Sequence, residues 1–94
     1  MVDKISKLFK KTHPIKGHAY AVTTGAYVGE ILVYVEGEDV HSFISLPKNI
    51  NREVPRDKFE LGMSEGIVEE VEKIPSKIFK LLEKQHAFNL KRNK

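Results

Sequence analysis

The chain contains no cysteine and no tryptophan. The first absence excludes a disulfide scaffold, a thiolate zinc site, an iron–sulfur cluster and a cysteine nucleophile, and it suits a reducing compartment. The second removes the largest ring available for base stacking. Long apolar runs are missing too: the longest, Ile31-Leu32-Val33-Tyr34-Val35, is far short of a membrane span. No apolar stretch of signal-peptide length follows the basic start, so a cytoplasmic protein is expected. Phosphate loops and dinucleotide fingerprints are also absent. His13, His18, His41 and His86 lack metal-ligand spacing. Neither an enzyme nor a cofactor is therefore expected.

What is present is a chain of 94 residues, 40% hydrophobic and 31% charged, a balance that fits one soluble domain and not wholesale disorder. The net charge of +3 conceals a polarity. Residues 1–16 carry +4 and residues 77–94 carry +5, while the middle, 17–76, carries −6. Two basic ends flank an acidic body, with Glu65, Glu69, Glu70 and Glu72 forming an acidic run within it.

Hydrophobic periodicity places the elements. Residues 3–11 read as a short amphipathic helix: Asp3 caps it, Ile5, Leu8 and Phe9 share a face, and His13-Pro14 stops it. Residues 18–46 read as strands. The stretch from Val28 to Glu36 is the central one, because its unbroken apolar run implies burial on both sides. Glu36-Gly37-Glu38-Asp39 forms a turn before a strand over 40–46. A short strand over 52–54 follows the loop Pro47-Lys48-Asn49-Ile50-Asn51, and residues 56–61 form one helical turn ended by Gly62. The β-branched residues of 67–74 favour a strand, although the spacing also fits a helix. Pro75 starts a helix over 75–88, whose docked stripe is Ile78, Leu81, Leu82 and Gln85, with 89–94 as a basic tail.

The stretch Gly17-His18-Ala19-Tyr20-Ala21-Val22-Thr23-Thr24-Gly25-Ala26-Tyr27-Val28-Gly29-Glu30 resembles a KOW-type motif through Gly17, Val22, Gly25 and Gly29. It departs from that motif at Val28, where a basic residue is usual, and at Ile31-Leu32, where a further glycine is usual. The resemblance implies an SH3-like barrel that binds RNA or RNA polymerase. The chain's general profile (short, lysine-rich, without catalytic motifs) also resembles small bacteriophage accessory proteins, which implies action on host transcription or defence. The expected fold is therefore α+β: a small bent antiparallel sheet of four or five strands, closed as an SH3-like barrel, with an N-terminal and a C-terminal helix. A single domain covers 1–94, divided into a basic helix (1–16), a β-rich body (17–74), the C-terminal helix (75–88) and a tail.

The candidate site is basic. Lys73, Lys77, Lys80 and Lys84 recur at intervals of four, three and four, which aligns them on one helix face. Lys91 and Arg92 extend the row, and Lys4, Lys7 and Lys11 line the N-terminal helix. Such a surface neutralises phosphates with little sequence preference. Arg52 and Arg56 flank Val54-Pro55 as a second phosphate contact, and Tyr20, Tyr27 and Phe43 are candidate stacking rings. The expected function is non-enzymatic nucleic-acid binding, with RNA ahead of DNA. The alternative is a protein-interaction module that inhibits or recruits a host enzyme through a sheet edge or the acidic segment. A homodimer is also expected, because a small chain gains core by pairing; a membrane is not an expected partner.

Overall fold

The structure, a computed structural model, describes residues 13–92. Five strands form one antiparallel sheet: β1 (His18–Val22), β2 (Ile31–Glu36), β3 (Val40–Leu46), β4 (Ile50–Pro55) and β5 (Val68–Lys73). Helix α1 (Arg56–Ser64) joins β4 to β5, and α2 (Ser76–Arg92) follows β5. The spatial order is β4-β3-β2-β1-β5, so four strands run as a meander and the fifth returns to pair with the first. Among the described residues β4 and β5 form the two edges of the sheet. The sheet is thus open, and the expected barrel is not formed: the chain spends the stretch between β4 and β5 on a helix crossing the sheet, which carries β5 to the far edge and away from β4. The expected N-terminal helix, with Lys4, Lys7 and Lys11, lies outside the described residues.

Registers assign the faces. Tyr20 opposes Leu32 and Tyr34 opposes Phe43, while Ala19 opposes Val33 and Val33 opposes Ile44. Side chains alternate along each strand. One face therefore carries Tyr20, Val22, Leu32, Tyr34, His41 and Phe43, and the other carries Ala19, Val33, Ile44 and Asn51. α1 covers the first face. Its Phe59 stacks on Phe43 at 5.2 Å between centroids and meets Tyr20 and His41 edge-on at 5.5 Å. α2 covers the second face, where Asn51 donates to the His86 carbonyl and Glu36 lies 3.9 Å from His86. This two-sided cover explains why Leu32 and Val33, adjacent in β2, are both buried. β2 is the middle strand of the five, in agreement with its unbroken apolar run.

α1 is longer than expected because Gly62 does not end it. Gly62 is buried within the helix, and its missing side chain lets Val68 of β5 approach; an added Cβ would lie 3.3 Å from Val68 Cγ2. Termination falls at Gly66, whose φ of 77° is one that side-chained residues rarely adopt. There the Gly66 N–H donates to the Met63 carbonyl and the Ile67 N–H to the Gly62 carbonyl. The stretch 67–74 resolves as a strand. α2 runs on to Arg92, so most of the expected tail is helical.

Candidate nucleic-acid interface

α2 is a helix of 17 residues whose rotation about its own axis decides what it shows to solvent. Phe79, near its start, packs its ring against Gly17, where an added Cβ would sit 3.7 Å from the ring. Asn89, near its end, donates to the Asn49 carbonyl at 2.9 Å and to Asn51 Oδ1 at 3.2 Å, and accepts from Gln85 Nε2. Between them, Asn51 Nδ2 donates to the His86 carbonyl at 3.2 Å, and Lys16 pairs with Glu83 at 3.3 Å. His86 is buried to 4% exposure. The inward face is therefore Phe79, Leu82, Glu83, His86 and Asn89.

That orientation corrects the expected docked stripe. Leu81 is 64% exposed and Ile78 is 49% exposed, so neither docks, while Leu82 is half-buried rather than a core residue. The reason is non-local. The sheet face beneath offers the amides and carbonyls of the β3–β4 turn and the bare backbone of Gly17, which together select a face with amide side chains and one aromatic ring.

The same rotation turns the lysines outward. At about 100° per residue, Lys77, Lys80, Lys84 and Lys91 fall within an arc of about 60°. All four are exposed, and among the described residues none has an acidic partner. Lys73 is exposed as well but ends β5, so the helical spacing does not extend to it. Arg92 closes α2. Beside the lysine row runs an apolar flank of Ile78, Leu81 and Phe88, the last 54% exposed. Sequence reasoning assigned Ile78 and Leu81 to the interior and missed this flank. Their spacing was visible, but the competing face had no local signal.

The two arginines sit elsewhere. Arg52 projects from the α1 side of the sheet, where its Nη2 lies 2.9 Å from Glu30 Oε2 and its Nε 3.1 Å from Glu30 Oε1. Ser45 donates to the same carboxylate at 2.5 Å. The Arg52 hydrogen bond holds the Glu30 carboxyl below its ordinary range, outweighing burial, which acts the other way. The guanidinium is in turn held above its usual value by Glu30 and stacks over Tyr27 at 4.3 Å. Arg52 is thus committed to a buried carboxylate and a ring. Arg56 begins α1 and lies 3.8 Å from Asp39. Neither belongs to the lysine face of α2.

Of the candidate stacking rings, Tyr20 and Phe43 are wholly buried in the core and offer no surface to a base. Burial pushes the Tyr20 phenol up to about 12; it accepts from the Ile15 N–H at 2.7 Å and donates to Glu70 at 3.3 Å. Tyr27 is exposed on the turn after β1, with Arg52 over its ring. The glycines that carry the KOW-type resemblance, Gly17, Gly25 and Gly29, all have positive φ, and the Gly29 N–H donates to the Val22 carbonyl to close the β1–β2 hairpin. Comparison of the chain with family models, with curated proteins and with solved structures gives no match. No helix among the described residues is long and apolar enough to cross a membrane.

Proposed function

We propose that the protein binds nucleic acid without catalysis, holding phosphates on the outer face of α2. The observation that carries this reading is the alignment of Lys77, Lys80, Lys84 and Lys91, exposed and without acidic partners among the described residues, on a helix whose opposite face is fastened to the sheet. Clustered like charges repel within about a turn of one another, so an anion is the natural complement. The exposed apolar flank of Leu81 and Phe88 favours single-stranded RNA over duplex DNA, because unstacked bases offer faces that such a flank can cover.

The test is fluorescence anisotropy with a labelled single-stranded RNA and a duplex DNA. Replacing Lys77, Lys80 and Lys84 with glutamate removes binding while the far-ultraviolet circular dichroism and unfolding midpoint stay unchanged. Binding that survives the triple change refutes the assignment. A second reading, a protein-interaction module, draws support from β5, an edge strand among the described residues whose Val71 is 56% exposed among glutamates. Edge strands accept an added strand through their open backbone groups. Loss of a partner on truncation of β5, with the lysine variant unaffected, would favour it.

A further inference from the structure

On the face opposite α2, an apolar groove of about 430 Å³ opens between α1 and the turn that follows β1. Its floor is Val22, Leu32 and Phe59, and Val54 and Val68 add to it. Leu61 forms a lip that is 57% exposed. Tyr27 lines the turn side and is braced by the guanidinium of Arg52, itself pinned by Glu30. The volume lies within the range of small-molecule sites, roughly 300–1,000 Å³, which are also mostly apolar with a few polar groups that fix orientation. Among the described residues one lining residue is charged, Lys58, and it has no acidic partner.

We propose that this groove binds a single-chain anionic amphiphile, a fatty carboxylate, with its alkyl chain along Val22, Leu32, Phe59 and Leu61 and its carboxylate on Lys58. Apolar walls supply the driving force, at roughly 0.8 kcal/mol for each buried methylene. Lys58 supplies the preference for a negative head. A cationic head would be repelled by Lys58, and a neutral one would gain nothing from its charge. The site is independent of the lysine face, because α1 and α2 lie on opposite faces of the sheet.

The test uses the full chain and three amphiphiles of equal length, each below its solubility limit or micelle concentration: dodecanoate, dodecan-1-ol and dodecyltrimethylammonium. Isothermal titration is expected to show dodecanoate binding best. Lys58→Glu should weaken dodecanoate at least tenfold and improve the ammonium compound. Ala26→Trp, which puts a bulky ring at the turn side of the groove, should weaken all three. Neither substitution should alter RNA binding, which separates this site from the one on α2. Equal affinity for the three head groups, or indifference to Lys58→Glu, overturns the proposal. So does an absence of dodecanoate binding by the full chain, as when a segment of the chain itself already fills the groove.

Discussion

If the four lysines of α2 each meet a phosphate, the salt dependence of binding follows from their number. Lys77 and Lys91 are 14 residues apart, about 21 Å along the helix, a length that passes about six phosphates of one strand. Four neutralised phosphates give a slope of log K against log salt of about −2.8 for a single strand and about −3.6 for a duplex. Between 50 and 200 mM salt the affinity then falls roughly 50-fold for RNA and roughly 150-fold for duplex DNA. Replacing Lys77, Lys80 and Lys84 with glutamine leaves one contact, and the same interval then costs only about threefold. Glutamine preserves helix propensity and leaves the inward face untouched, so the fold should be unaffected. Anisotropy titrations at four salt concentrations measure the slopes directly, with Lys58→Gln on the opposite face as control. A wild-type slope near −1, or a slope unchanged by the triple substitution, would refute the reasoning.

Further outcomes follow from the packing. Phe59→Ala should cost roughly 3–5 kcal/mol in urea unfolding, because it removes the ring that joins α1 to Phe43 and Tyr20. Leu82→Ala should cost only about 1–2 kcal/mol, because its side chain is half-buried, and Leu81→Ala less than about 0.5 kcal/mol. Equal costs for Leu81 and Leu82 would mean that α2 is rotated differently. The Glu30 carboxyl titrates below its ordinary value of 4.5 in the folded chain, so its stabilisation is present above that pH and lost as pH falls through the lower folded value; Glu30→Gln should flatten this acid limb of the stability profile. The Tyr20 phenol behaves in the opposite sense: its contribution is complete below pH 10 and declines as pH rises toward about 12. Tyr20→Phe should therefore remove that alkaline decline, as read from thermal melts between pH 9 and 11.

Strand content was legible where local pattern and tertiary environment agree. The run Ile31–Val35 announces a strand covered on both faces, and the structure supplies a helix on each. The lysine row was legible because helical period alone aligns Lys77, Lys80 and Lys84, whatever the helix packs on. What docks under α2 was not. Hydrophobicity pointed to Ile78 and Leu81, whereas the contacts that hold the helix are amides, Asn89 to Asn49 and Asn51 to the backbone at His86, between residues 40 and 35 positions apart. Gly62 shows the same limit. A glycine at the end of a helical pattern reads as a stop, but this one exists for Val68, which becomes its neighbour only once β5 reaches the far edge. Barrel closure failed for a related reason: glycines can mark corners in a sheet, but they do not reveal which edge a returning strand will join.

The return of β5 to β1 also sets an order of events in folding. The β1–β2 hairpin closes a loop of 10 residues at Ala21 and Ile31, whereas Val22 and Val68 are 46 apart. By loop-closure entropy alone the second costs about 1.4 kcal/mol more, close to a tenfold handicap. The meander can therefore assemble before the last strand arrives, and β1 waits meanwhile as an unprotected edge. In a native chain that breathes, β5 is correspondingly the strand whose departure breaks the fewest local connections, so its amides should exchange ahead of those in β2 and β3. When it leaves, the backbone of β1 becomes available for pairing with another chain. The acidic character of Glu69, Glu70 and Glu72 then has a second meaning. Two detached β5 strands repel one another, which discourages open chains from pairing with each other through them.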